Sequence, residues 1–248
     1  MKKGTVKQIL LITDGCSNQG EDPVAISSHI SNKGVSVNVI GVLEDMQSED
    51  PVGLTEVNDI AYAGGGVSRI VYAEELAETV QMVTKQAMNQ TIQQFVNEEL
   101  QQIFGKGSDT ESLPPETRGE VNEVMEELGE SCNLNVLLLV DTSASMQNKM
   151  PAVKEALEDL MLSLEARNGA FQYALYQFPA KRKVVNQLLD WTADASLIHK
   201  AFPKITAGGI TPTGTALHEV SKLFHANMPV ALDEGEVEDG PRPTFRSS

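Results

Sequence analysis

Apolar positions along the chain alternate between two rhythms. Residues 6–13 are almost continuously apolar and close at Thr13-Asp14-Gly15, a short run that predicts a strand buried on both faces. Val24, Ala25, Ile26 and Ile30 then take helical spacing up to Lys33-Gly34, a lysine and glycine that read as a helix stop. Residues 35–42 predict a second buried strand. Leu54, Val57, Ile60 and Ala61 predict a helix reaching Gly64-Gly65-Gly66, and residues 68–72 a short third strand. Strands that alternate with helices predict a parallel sheet.

From Glu74 onward, Leu76, Val80, Val83, Ala87, Ile92, Val96, Leu100 and Ile103 keep three-and-four spacing, which predicts a helix of about eight turns. Core packing accounts for that stripe. The far half is rich in Gln, Asn and Glu, so it either lies over the segment that follows or leaves the body toward a partner. Residues 105–115 carry Gly, Ser, Asp and a Pro-Pro pair and read as a loop, the best internal boundary. Residues 116–128 predict an acidic amphipathic helix with Val121, Val124, Met125 and Leu128 on one face, ending at Gly129.

A second strand–helix series follows, with a strand over residues 134–140 and a helix from about Lys149 to Arg167 stopped by Asn168-Gly169. Residues 170–178 and 183–189 flank Pro179-Ala180-Lys181-Arg182 and predict a hairpin with one antiparallel edge strand. Residues 197–202 and 213–225 predict two more helices. Residues 227–248 lose all periodicity and carry Asp233-Glu234-Gly235-Glu236, so they are expected to form a disordered acidic tail. Each half supplies three strands. Together they predict an α/β fold, a doubly wound, mostly parallel six-stranded sheet with helices on both faces. The expected division is 1–104, a linker with an acidic helix over 105–132, and 133–226, with 1–226 forming one domain.

The chain has 248 residues, 41% hydrophobic and 22% charged, the values of an ordinary globular protein. A formal net charge of −16 opposes binding to nucleic acid or an anionic membrane surface, because phosphate recognition needs a basic stripe. The apolar runs fall well short of the roughly 20 residues needed to span a bilayer. Cys16 and Cys132 have no CxxC spacing, and no leader with an apolar core precedes them. They read as two unpaired thiols in a reducing cytoplasm.

Candidate chemistry begins where the strand over 134–140 ends in Asp141-Thr142-Ser143-Ala144-Ser145. An acid and two hydroxyls facing one way offer hard oxygen ligands to a small divalent cation. Two further pieces are Gly209-Ile210-Thr211-Pro212-Thr213-Gly214 downstream and Thr13-Asp14-Gly15 far upstream. These three elements resemble those of the von Willebrand factor type A domain family, where they form a metal-ion-dependent adhesion site. In that family Asp-x-Ser-x-Ser comes first, the threonine next and Asp-Gly last, whereas here Asp-Gly comes first.

The resemblance implies a circularly permuted member, with residues 7–104 matching the family's closing half and 133–226 its opening half. It is nearest to short, uncharacterised cytoplasmic members from spore-forming Gram-positive bacteria. It implies Asp141, Ser143, Ser145, Thr211 and Asp14 as metal ligands, directly or through water, for Mg²⁺ or Mn²⁺. It also implies one open position, filled by an Asp or Glu of a protein partner. The strands before Asp141 and Asp14 are then neighbours at the ligand crevice of a doubly wound sheet. The expected role is a metal-dependent protein-interaction module, not an enzyme. By the same likeness the helix over 74–104 couples affinity to the linker. Asp141→Ala is expected to remove binding with little loss of fold, as a surface ligand carrying no core volume.

Other chemistries lack a required residue. A phosphatase-type hydrolase with an aspartyl nucleophile needs a second acid two residues after Asp141, where Ser143 stands. The glycine spacing of 209–215 lacks the P-loop lysine, and residues 15–19 lack the second glycine of a nucleophile elbow. His29, His199, His218 and His225 are scattered; His218, about two turns beyond Thr211, reads as a surface or packed histidine, with a place facing the site as the alternative. The alternative is a structural scaffold in which halves exchange between chains and the site is vestigial; a monomer is the expected state.

Overall fold

The computed structural model describes residues 4–15, 17–43, 51–105, 109–205 and 208–226. The expected tail at 227–248 and Cys16 lie outside the described residues. The first half contains β1 (Thr5–Thr13), α1 (Pro23–Ser31), β2 (Ser36–Leu43), α2 (Pro51–Ala63), β3 (Ser68–Tyr72) and α3 (Leu76–Phe104). After α4 (Pro115–Ser131), the second half contains β4 (Asn133–Asp141), α5 (Met150–Glu165), β5 (Phe171–Phe178) and β6 (Asn186–Thr192). The short helices α6 (Ile198–Ala201), α7 (Thr213–Ser221) and α8 (Leu223–Ala226) follow.

All six strands form one sheet in the order β3-β2-β1-β4-β5-β6, parallel except for the antiparallel β5–β6 edge pair. Strand side chains alternate between faces, and here both faces are covered. Leu10, Ile12, Ile40, Val42, Leu138 and Val140 pack on one side with Val80 and Val83 of α3 and Val153 and Leu157 of α5. Ile9, Leu11, Val37, Val39, Leu137 and Leu139 face the other side, with Ile30 of α1, Val57 and Ile60 of α2, and Leu217 and Val220 of α7. That double burial is why the strands read as unbroken apolar runs rather than as alternating ones.

Several boundaries differ from those the pattern predicts. Helix α4 runs through Gly129 to Ser131, because it packs on α3 and a Cβ at Gly129 would lie 3.3 Å from Asn89 Oδ1. The glycine serves close approach rather than termination. Strand β6 begins at Asn186 rather than near residue 183. Val184 and Val185, which read as strand, instead pack against the second core, as does Trp191, whose ring meets Phe224 edge-on at 5.2 Å. The helix predicted over 213–225 is broken at Lys222 into α7 and α8.

The polar far half of α3 lies over the following segment. Asn97 Oδ1 accepts hydrogen bonds from Thr110 N at 3.1 Å and Thr110 Oγ1 at 2.7 Å, and Arg167 donates to the carbonyls of Gly129 and Cys132, closing the far end of α4 onto α5. Asn97→Ala removes both bonds to a buried threonine and is expected to cost about 1–3 kcal/mol. Hydrogen exchange checks it: amides of residues 109–118 should speed up while those of β1 and β4 stay protected.

Candidate metal centre

Strand order reverses between β1 and β4, the place where doubly wound sheets open their ligand crevice. The two strands pair in register up to Ile12 with Val140, so Thr13 and Asp141 end side by side. Thr13 Oγ1 donates to Asp141 Oδ2 at 2.8 Å, and the Ser143 backbone N–H donates to Asp141 Oδ1 at 2.7 Å. A 3-10 turn over Ala144–Met146 then folds the chain back, so that the hydroxyls of Ser143 and Ser145 lie 3.2 Å apart. Ser145 Oγ donates to Asp14 Oδ1 at 2.9 Å, and Asp14 Oδ2 meets the Lys149 ammonium at 2.5 Å.

Of the five expected ligands, Asp14, Asp141, Ser143 and Ser145 are thus joined in one hydrogen-bonded row. Thr211 is buried and fixed through its backbone to the loop after Asp14: its N–H donates to Asn18 Oδ1 at 2.9 Å, and its carbonyl accepts from Asn18 N at 3.1 Å and Ser17 Oγ at 3.3 Å. The same loop rests on α7 at Gly214, where a methyl would sit 2.0 Å from the Glu21 carbonyl oxygen. Only glycine permits that contact. Glu56 of α2 accepts from Ser17 N, and burial raises its carboxyl above the ordinary range.

Asp141 is not the surface ligand that its place at a strand end suggests. It has no exposed surface, since it lies between Thr13 at the end of β1 and Phe178 of β5, its partner in the sheet; the next residue, Thr142, is bonded through its N–H to the Phe178 carbonyl and through its carbonyl to Gly208 N. Truncation to alanine would strand the Thr13 hydroxyl and the Ser143 N–H, so Asn is the substitution that separates charge from packing. His218 does not join the row; its Nδ1 pairs with Glu21 at 3.0 Å on the surface, and His199 pairs with Glu158. Asn18, Glu56 and Lys149 lie around these residues although nothing in their local spacing marks them, and Thr13 is visible only as part of the Thr13-Asp14-Gly15 element. Thr13 needs the strand register, and Lys149 reads as an ordinary lysine at a helix start.

Burial pushes the Asp141 carboxyl up to about 6 from its ordinary 3.8, with the neighbouring charge of Asp14 adding to the rise, while the bonds from Ser143 and Thr13 oppose it. Among the described residues no cluster holds three or more of His, Cys, Asp and Glu, so this is not a cage of anionic ligands. Two carboxylates with seryl hydroxyls between them are hard donors that suit Mg²⁺ or Mn²⁺. A desolvated acid beside a second acid is stabilised by a cation, and the residues present fit one.

Because the folded carboxyl of Asp141 titrates above its unfolded value, its stabilising contribution is complete below about pH 4 and is lost as pH rises through about 6. The loss amounts to about 3 kcal/mol by pH 8. In chelator, urea unfolding at pH 5 and pH 8 should show this slope in the wild type, and Asp141→Asn should flatten it and be the more stable protein at pH 8.

Two matches to the von Willebrand factor type A domain fall on this chain, over residues 136–236 and residues 1–70. The uncharacterised protein YabS of Bacillus subtilis (strain 168) is 53% identical over 224 residues, which span 90% of this chain and 91% of that protein. The crystal structure of an uncharacterised protein from Alicyclobacillus acidocaldarius subsp. acidocaldarius DSM 446 superposes with a TM-score of 0.81 at 38% identity, over 90% of this chain and 94% of the other. With the six-stranded sheet and the strand-end motifs in place, the chain belongs to the von Willebrand factor type A domain family.

Proposed function

We propose that this protein is a metal-ion-dependent protein-interaction module that binds an exposed Asp or Glu of a partner, and that it acts in the cytoplasm as a binding protein rather than an enzyme. The observation that carries this reading is the row of oxygens from Asp141 through Ser143 and Ser145 to Asp14, assembled from opposite parts of the chain at the sheet's crevice. Asp141, Ser143, Ser145, Thr211 and Asp14 would hold Mg²⁺ or Mn²⁺. The ion would supply electrophilic attraction for an incoming carboxylate, because hydroxyl ligands leave its charge incompletely neutralised.

The chain's own groups support binding over catalysis. His199 and His218 are paired with acids on the surface, so neither of these two imidazoles is held against Ser143 or Ser145 as a base. A net charge of −16 argues against nucleic acid, and among the described residues no helix is long and apolar enough to cross a membrane. The order of the motifs is read as a circular permutation of the family's arrangement, supported by two family matches that fall on separate stretches.

Affinity capture from the cells that make the protein tests this directly. Wild type in Mg²⁺ should retain a partner that is lost in EDTA and lost again with the double variant Ser143→Ala, Ser145→Ala. Each lost hydroxyl is expected to weaken Mn²⁺ binding by about tenfold, near 1.4 kcal/mol, in calorimetry. A partner recovered equally in EDTA and by the double variant would reject the proposal.

A further inference from the structure

Lys149 stands directly before α5, and its backbone is held from both sides: its N–H donates to Met146 O at 2.9 Å and its carbonyl accepts from Val153 N at 3.0 Å. Its side chain is only 8% exposed and ends on the Asp14 carboxylate, itself 4% exposed. By contrast, the ion pairs Lys154–Glu158 and Lys222–Glu219 are surface pairs with lysines half exposed. Lysine is almost never buried without a partner, since ordering its long stem and desolvating its charge both cost free energy.

The position of the ammonium makes this more than a structural pair. Asp14 gives Oδ2 to Lys149 and Oδ1 to Ser145, which leans on Ser143. The ammonium therefore neutralises one of the two acids in the row that would receive a divalent ion. A dication and an ammonium drawn to one largely buried carboxylate repel each other strongly. An ammonium on a four-carbon stem can leave by rotamer change alone, without the planar bidentate fork that an arginine would have to break.

Building on the metal-dependent reading above, we propose that Lys149 is a tethered cation that occupies Asp14 in the metal-free protein and is displaced when a divalent ion binds. The affinity of the site is then set by competition between the ammonium and the ion. Without the lysine, the metal-free protein would hold two neighbouring acids with no neutralising charge. With it, loading requires an ion concentration high enough to expel the side chain.

Two measurements on the full chain with Mn²⁺ alone as the probe test this. In calorimetric titration Lys149→Met should bind Mn²⁺ at least about tenfold more tightly than wild type, Lys149→Arg should show no such gain, and metal-free Lys149→Met should melt at a lower temperature than wild type. In the wild type, acylation of Lys149 by an amine-reactive ester, followed by peptide mass spectrometry, should be slow in EDTA and accelerate at saturating Mn²⁺. If Lys149→Met binds no more tightly than wild type, or if saturating Mn²⁺ leaves the labelling unchanged, the lysine is not displaced and the proposal is overturned while the metal site stands. If Lys149→Met does not fold, the wild-type labelling decides alone. Absence of Mn²⁺ binding by wild type and variant alike would overturn the metal reading and this proposal together.

Discussion

Parallel pairing between β1 and β4 is the constraint on which everything else depends. The two strands match from Thr5 with Asn133 to Ile12 with Val140, and the side-chain period of two leaves that register no freedom. A slip of one residue would turn Leu138 and Val140 away from α3 and α5 and would aim Asp141 away from Thr13. The register that buries the apolar face is thus the one that sets the Thr13 hydroxyl against the Asp141 carboxylate. Packing and site geometry are two results of one alignment.

Placing a carboxylate at that strand end has an energetic cost that is visible in its raised proton affinity. Burial disfavours the charge, and the hydrogen bonds from Ser143 and Thr13 offset only part of that penalty. The fold tolerates the remainder because the strain sits at one strand end while both faces of the sheet are densely packed, with the central residues of β1 and β4 fully buried. A carboxylate desolvated in a crevice beside a second acid marks a candidate functional site.

Much of the architecture was legible from the apolar runs. Unbroken segments such as Val136 to Val140 have a single stable home, a strand covered on both faces, and their alternation with helices dictates parallel pairing. The misplaced boundaries share a cause: local pattern does not reveal what a residue packs against. Val184 and Val185 looked like strand and proved to be loop residues anchored in the second core, and Gly129 looked like a stop and proved to be a contact point with α3. The motif residues around Asp141 and Asp14 were visible by type. The burial of Asp141 was not, since it depends on Thr13 of β1 and Phe178 of β5 flanking it in the folded sheet, both far from it in the chain. Lys149 was hidden for the same reason, because only the folded loop brings it to an acid 135 positions away.

Thr13 and Asp141 are neighbours in space but 128 positions apart in the chain, and this has a consequence during synthesis. Ribosomes release the first half as β1, β2 and β3 with their helices, and β1 waits as an open border of the partial sheet until β4 emerges. That border carries Ile9, Leu10, Leu11 and Ile12, an apolar strand of the sort that recruits other chains when left bare. Assembly of the sheet's middle is therefore a late event, governed by a contact of long sequence separation, which slows folding. A polypeptide terminated near residue 105 would carry a complete-looking set of helices around an unfinished, adhesive edge.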